Sequence, residues 1–249
     1  MTGLEAAAIA ASGFAAGTIN TVVGSGTLLT FPVLLGFGYP PVQANVSNTI
    51  GLVGGGLTGM HGYRRELAGQ ERRGLVLGAA TVAGAIVGAT LLLTLPPGAF
   101  KTIVPAFIAI ALVLVVAQPW LSKRLETRRA HDVHGHWWTP LAIFVIGLYG
   151  GYFGAAQGII LLAVLGLSLT EPLQRVNALK IVLATLANIV GALIFAVAAD
   201  VAWDVAALLA VGSLAGGVLG ARVGRRLPAA VLRALIVAVG IAAIVKLTA

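Results

Sequence analysis

Residues 74–95 read GLVLGAATVAGAIVGATLLLTL, 22 residues without a charged side chain. An α-helix needs about 20 predominantly apolar residues to span the hydrocarbon core of a bilayer. Apolar residues occupy every face of this stretch, whereas a strand of a membrane β-barrel alternates apolar and polar residues. The stretch therefore predicts a membrane-spanning α-helix.

The composition of the whole chain agrees with this interpretation. The 249 residues are 59% hydrophobic and only 10% charged, and they include 33 glycines. An ordinary soluble domain is about 25% charged, and disordered chains are polar and charge-rich, so both classes are excluded. We predict an all-α polytopic membrane protein whose first partner is the lipid bilayer.

The apolar stretches divide the chain into about ten hydrophobic segments. Three of them are too short for an ordinary span, which predicts broken or re-entrant segments. The short segments are 4–17, 26–38 and 158–169, and the others are 42–63, 74–95, 102–121, 137–152, 176–198, 205–224 and 229–248.

Basic residues concentrate in alternate connecting loops. Thirteen of the 16 Lys and Arg residues lie there: Arg64, Arg65, Arg72, Arg73, Lys123, Arg124, Arg128, Arg129, Arg175, Arg222, Arg225, Arg226 and Arg233. An even number of segments separates these loops, so the positive-inside rule places all of them in the cytoplasm. The pattern predicts a multi-pass cell-membrane protein with both termini outside. On this interpretation the net charge of +8 mostly reflects the orientation of the protein in the membrane, and we expect no nucleic-acid partner.

The most polar loop, 122–136, predicts a cytoplasmic linker between two halves of the chain. It contains His131, His134 and His136, a spacing that can bind a metal. No partner ligands accompany these histidines, so a solvated linker is the favoured interpretation and we expect no metal site.

The two halves share an order of motifs. Gly26 precedes Asn45 by 19 positions, and Gly158 precedes Asn177 by 19 positions. Because each half has five segments, the second half enters the membrane from the opposite side. This predicts a five-plus-five inverted-topology repeat, common among secondary transporters, with domains 1–121 and 137–249 joined by 122–136.

The break between the first two segments is a candidate binding site for a small anion. Glycines allow unusual backbone angles, and the N–H groups at the start of the next helix favour negative charge. The predicted contacts in this half are Asn20, Gly24, Ser25, Gly26 and Thr27. The alternative is a tight turn in which the small residues only permit close helix packing.

The second half has a matching break at residues 154–158. Further candidates lie in this break or follow one of the two breaks: Asn45, Ser47, Asn48, Gln157, Gly158, Asn177 and Lys180. Lys180 is a basic residue that we assign to a predicted span and not to a loop, and intramembrane ionisable groups are usually functional. The alternatives are that Lys180 extends to the cytoplasmic interface and that Gln157 only caps backbone groups. No carboxylate lies in the middle of a predicted span, and we predict neither an enzyme nor a bound cofactor.

Glycine-rich stretches at 51–59 and 212–220 have the spacing of small residues at helix–helix contacts. We expect them to pack helices together, either within one chain or across a homodimer.

At these motifs the sequence resembles the TauE/SafE family of sulfite and organosulfonate exporters. In the first half the resemblance rests on Gly13–Gly17, Asn20, Gly24–Gly26, Phe31-Pro32 and Ala44-Asn45, and in the second on Gly147, Gly150-Gly151, Phe153-Gly154, Val176-Asn177 and Lys180. It implies transport of small sulfur-containing anions such as sulfite or sulfonates, by a family of exporters. The inverted repeat predicts alternating access about a site between the two halves. The residues themselves also fit an anion channel of the same architecture.

Overall fold

The computed structural model describes residues 1–127, 137–223, 236–239 and 241, and these residues contain helices and connecting turns but no β-strand. The helices are α1 Gly3–Val22, α2 Thr27–Gly36, α3 Pro41–Gly62, α4 Arg64–Leu67, α5 Glu71–Thr94, α6 Pro97–Thr127, α7 Thr139–Tyr152, α8 Gln157–Ser168, α9 Leu173–Ala198 and α10 Trp203–Val223. The predicted all-α class is confirmed.

Several helices have the length and composition of membrane spans. Four stretches are long and apolar enough to cross a bilayer: Glu71–Thr94, Gly98–Leu121, Leu173–Ala198 and Trp203–Arg222. Helices α2 and α8 are apolar but only 10 and 12 residues long, which agrees with the expectation of short segments at 26–38 and 158–169. Helix α7 is also short, with 14 residues, although segment 137–152 was not predicted to be.

Nine of the ten predicted segments lie largely within the described residues, and each coincides with a helix. The predicted length of the first was wrong, because α1 has 20 residues. A reciprocal cap between Thr2 and Glu5 starts this helix, and the Thr18 and Thr21 hydroxyls donate to carbonyls one turn back at 3.0 Å each. These bonds let polar residues continue a helix that hydropathy alone ends at residue 17.

Some predictions lie outside the described residues. They are the three histidines of the linker, Arg128, Arg129, Arg225, Arg226, Arg233 and most of segment 229–248. The structure also contains the one-turn helix α4, which the sequence did not predict.

Glycines bring two helix pairs into backbone contact, α1 with α10 and α5 with α7. A Cβ at Gly216 would collide with the Phe14 carbonyl, and a Cβ at Gly88 would collide with the Leu148 carbonyl. Small residues allow this close approach, which gains van der Waals contact where the hydrophobic effect contributes little. The glycines near the start of the 212–220 stretch thus pack within the chain, and the homodimer stays a prediction.

Aromatic side chains from two helices and one turn pack together beside the two chain breaks. Phe31 of α2 meets Phe153 edge to face with ring centroids 5.2 Å apart. Phe100 of α6 lies 5.9 Å from Phe153 in the same geometry. Edge-to-face pairs are each worth about 0.5–1.5 kcal/mol beyond the area they bury. This cluster ties the first break to the second through α6.

Candidate functional site

Helices α1 and α7 end in the same way. The N–H of Gly24 donates to the Ile19 carbonyl at 2.9 Å, and the N–H of Gly154 donates to the Tyr149 carbonyl at 3.0 Å. Both glycines adopt a positive φ, +90° and +72°. A side chain is strained in this conformation, so glycine at these positions lets the chain turn back within the protein.

The two turns meet each other at their glycines. The N–H of Gly158 donates to the Gly24 carbonyl at 3.1 Å. A Cβ built on Gly24 would lie 2.7 Å from the Gly158 Cα, and one built on Gly158 would lie 2.6 Å from the Gly24 Cα. Only glycine fits at either position, so the two turns pack backbone against backbone at Gly24 and Gly158.

Asn20 stabilises the first break. Its Oδ1 accepts the N–H of Gly26 at 2.6 Å, so the Gly26 donor that the sequence assigned to an anion is used within the protein. No acceptor faces the N–H groups of Ser25 or Thr27 among the described residues, and the Ser25 hydroxyl is buried without a partner. The start of α2 therefore keeps two backbone donors and one hydroxyl unpaired.

Two asparagines hold the helix ends from opposite halves of the chain. The Asn45 amide donates to the Tyr152 carbonyl at the end of α7, at 3.0 Å. The Asn177 amide donates to the Thr21 carbonyl near the end of α1, at 3.4 Å. Each amide satisfies a carbonyl that a helix end leaves without an intrahelical partner.

Lys180 is buried in the protein with its ammonium group against the first break. The side chain is 1% exposed, and Nζ donates to the Asn20 carbonyl at 3.2 Å. No carboxylate of the described residues lies within ion-pair distance of Nζ. Removing an ammonium group from water costs on the order of several kcal/mol, and one carbonyl leaves this cation without a negative partner.

A cavity lies where the two breaks and α9 meet. Its volume is about 40 Å³, which holds about three waters at roughly 10–15 Å³ each. Both broken turns and one face of α9 line it. The lining residues are Asn20, Thr21, Gly24, Thr27, Leu52, Gly56, Gly154, Gln157, Gly158, Lys180, Ile181, Ala184, Thr185 and Asn188.

Half of the residues predicted for the site line this cavity: Asn20, Gly24, Thr27, Gln157, Gly158 and Lys180. The other six are not on its lining: Ser25, Gly26, Asn45, Ser47, Asn48 and Asn177. Asn48 bonds the hydroxyls of Thr27 and Thr30 on α2, and the Ser47 hydroxyl accepts the Ala202 N–H at 2.9 Å. The Gln157 amide, besides lining the cavity, donates to the Ile146 carbonyl at 3.4 Å.

Sequence reasoning missed the wall that α9 contributes beyond Lys180. Ala184 and Asn188 follow Lys180 at intervals of four, and Thr185 follows Ile181 at the same interval. Residues four apart share a face of a helix, so this spacing was the signal that could have found them. Gly56 and Leu52 of α3 form the facing wall, and in the sequence they look like any packing residues.

An ionic cluster of Glu171, Arg73 and Arg175 connects the loop before α9 with the start of α5. We call the end of the helix bundle where these three residues lie the ion-paired end. Glu171 accepts from Arg73 at 3.0 Å and from Arg175 at 2.7 Å. The Gln70 amide donates to the Arg175 carbonyl at 3.2 Å. Partial burial raises the pKa of Glu171, but the two arginine hydrogen bonds lower it by more, so the pKa lies below its usual range.

Between the ion-paired end and the cavity lies a small apolar layer. Tyr63 is buried against Ala178 and Ile181 of α9, and Ile181 also lines the cavity. Tyr63 and the ionic cluster thus pack the short α4 segment over the same end of α9.

Comparison with known proteins places the chain among membrane transporters. The family model described as "Sulfite exporter TauE/SafE" matches residues 9–247. The chain is 26% identical over 205 residues to the "Probable membrane transporter protein YfcA" of Escherichia coli K12, covering 79% of this chain and 72% of that protein. A probable membrane transporter protein of Haemophilus influenzae is 25% identical over 207 residues, 81% of this chain and 78% of the relative.

A third relative is shorter in its match. "Probable membrane transporter protein ORF9" of a Sinorhizobium species is 31% identical over 147 residues, 58% of this chain and 54% of the relative. No solved structure matches the chain significantly. The matches are to transporters and do not favour the channel alternative. The family model covers nearly the whole chain, whose helices include several with the character of membrane spans, and the protein belongs to the TauE/SafE sulfite exporter family of membrane transporters.

Proposed function

We propose that this protein is a secondary transporter that exports small sulfur-containing anions such as sulfite or organosulfonates. The observation that carries the proposal is the burial of Lys180, whose ammonium group contacts one carbonyl and no described carboxylate. An anion in the adjoining cavity supplies the missing negative charge. Such binding repays part of the desolvation cost of the cation, because the two charges attract strongly in a low-dielectric site.

The first break adds donors of the type that oxyanions require. The N–H of Thr27 is unpaired at the start of α2, and Thr27 lines the cavity together with Lys180. Unpaired N–H groups at a helix start carry partial positive charge. We infer that the anion binds between this helix start and the ammonium group, with Gln157 and Gly158 closing the site from the second half.

The paired contacts support an inverted repeat as the basis of alternating access. Each half supplies a helix that ends at a positive-φ glycine, and an asparagine of the other half holds each helix end. We infer that 1–121 and 137–249 are the two repeats and that they move relative to each other about the Gly24–Gly158 contact.

The charge pattern supports one orientation in the cell membrane. We infer that the ion-paired end faces the cytoplasm, since its loops carry Arg64, Arg65, Arg72, Arg73 and Arg175, and that both termini lie outside. An inside-negative potential then favours anion export, by about 2.3 kcal/mol per charge per 100 mV.

Flux through purified protein in liposomes tests the proposal. We expect saturable uptake of labelled sulfite or ethanesulfonate, and a Lys180→Met variant that folds but carries no flux. Lys123→Ala removes one positive charge outside the cavity and is the control. Absence of saturable flux in the wild type contradicts the transporter proposal, and unitary currents in electrical recordings support a channel instead.

A further inference from the structure

The cavity continues along α9 past Lys180 and reaches Asn188. The two residues are eight positions apart, about 12 Å at the 1.5 Å rise of an α-helix. Because α9 starts at the ion-paired end, Asn188 lies farther from that end than Lys180 does. Asn188 is thus on the side of the cavity toward which a ligand leaving Lys180 for the opposite end would move.

The Asn188 amide has no hydrogen-bond partner in the described part of the chain. Other polar side chains near it on α9 are bonded: the Thr185 hydroxyl donates to the Ile181 carbonyl at 2.7 Å, and the Asn177 amide donates to Thr21. An amide offers two donors and one carbonyl acceptor. Asn188 is half-buried, so its amide is free to hydrogen-bond a ligand in the cavity.

Helix α3 packs closely against α9 between the two polar positions. A Cβ built on Gly56 of α3 would lie 2.5 Å from the Thr185 hydroxyl oxygen, so α3 touches α9 here because residue 56 has no side chain. Leu52 and Ala184 form apolar walls beside it. The lining of the cavity therefore carries the ammonium group of Lys180 nearer the ion-paired end and the Asn188 amide farther along α9.

We propose that Asn188 forms a second anion station on the transport path, on the same cavity as Lys180 and two helix turns farther along α9. The Asn188 amide N–H groups hydrogen-bond the anion after it has left the ammonium group, which lowers the barrier in the apolar part of the path. Binding at Lys180 sets the affinity, and Asn188 sets the rate of passage. This inference rests on the proposed function and adds a residue and a step to it.

The experiment separates affinity from rate in liposomes and in detergent. Asn188→Leu should reduce the maximal flux of sulfite about tenfold, the effect of losing one hydrogen bond of about 1.4 kcal/mol. The sulfite concentration that half-saturates thermal stabilisation of the purified protein should stay unchanged. Asn188→Gln keeps the amide and should restore most of the flux. Gln118→Leu, which removes an amide from α6 outside the cavity, should leave both quantities at wild-type values.

Wild-type flux in Asn188→Leu overturns the second station, as does an equal loss of affinity and flux, which would assign Asn188 to the Lys180 site. Absence of flux in the wild-type protein overturns the proposed function, and this inference with it.

Discussion

The N–H of Gly158 donates a 3.1 Å hydrogen bond to the carbonyl of Gly24. This bond joins two turns that lie 134 residues apart in the sequence. The two Cα atoms are close enough that neither residue has room for a side chain. The site depends on this contact, because residues on both sides of it line the same cavity.

The first prediction concerns that contact. Gly158→Ala places a Cβ 2.6 Å from the Gly24 Cα, and backbone on both sides has to move. We expect an unfolding free energy lower by about 1–3 kcal/mol, the range for overpacked positions, measured as a lower thermal midpoint in detergent. Gly36→Ala is the control, since nothing lies within 4 Å of a Cβ there. Equal midpoints for the two variants would contradict the described contact.

The second prediction concerns the cost of burying Lys180. Replacing a buried cation that lacks a negative partner with an apolar side chain of similar length removes a desolvation penalty. We expect Lys180→Met to raise the thermal midpoint of the ligand-free protein. If Lys180 stabilised the fold, Lys180→Met would have a lower thermal midpoint than the wild type. A lower midpoint would therefore show that the lysine serves the fold and not a ligand.

The third prediction concerns the ion-paired end. The pKa of Glu171 is lowered in the folded protein, so its ionic contacts stabilise the fold at pH values above the ordinary pKa of glutamate, about 4.3, and the stabilisation is lost as pH falls through the lowered pKa. We expect Glu171→Gln to destabilise the protein by about 1 kcal/mol at pH 7, and the difference from wild type to vanish in strong acid. Asp204→Asn removes an exposed carboxylate in the first turn of α10, away from the Glu171 pairs, and serves as the comparison. A difference that grows on acidification would contradict the assignment.

The fourth prediction concerns the close glycine contacts between helices. Gly88→Ala and Gly216→Ala each place a methyl against a backbone carbonyl of the neighbouring helix. We expect both variants to lose monodisperse protein in size-exclusion chromatography, because the helices have to separate. Gly74→Ala has open space around its new Cβ and should behave as wild type or better, since alanine favours helix more than glycine does.

The chain has no cysteine, which gives a clean background for testing orientation. Ala68→Cys lies on an exposed position of the ion-paired end, and Phe37→Cys lies on an exposed position between α2 and α3. We expect a membrane-impermeant maleimide to label Phe37→Cys in intact cells, and to label Ala68→Cys only after permeabilisation. The opposite pattern would reverse the proposed orientation.

Hydropathy and length predicted most of the helices, because the apolar character of a span extends over many residues. The same reasoning ended α1 too early, at residue 17, since the hydroxyls of Thr18 and Thr21 bond within the helix and hide their polarity. It predicted Lys180 and the glycine turns because an ionisable or turn-forming residue is exceptional in an apolar stretch.

Partner choice could not be predicted from the sequence. Asn20 and Asn45 are both amides in largely apolar segments, yet Asn20 lines the cavity and Asn45 holds a helix end. Gly56 resembles the packing glycines beside it and still forms a cavity wall. Which of these residues face one another depends on how helices from the two halves cross, and single-chain spacing does not contain that information.

The most direct test of the central claim measures sulfite binding to Lys180 in purified protein. Wild-type protein and Lys123→Ala should show a saturable rise in thermal midpoint with sulfite, because a ligand that binds the native state stabilises it. Lys180→Met should fold with an equal or higher midpoint without ligand and show no rise with sulfite. A folded Lys180→Met variant whose midpoint rises with sulfite as in the wild type would contradict the account.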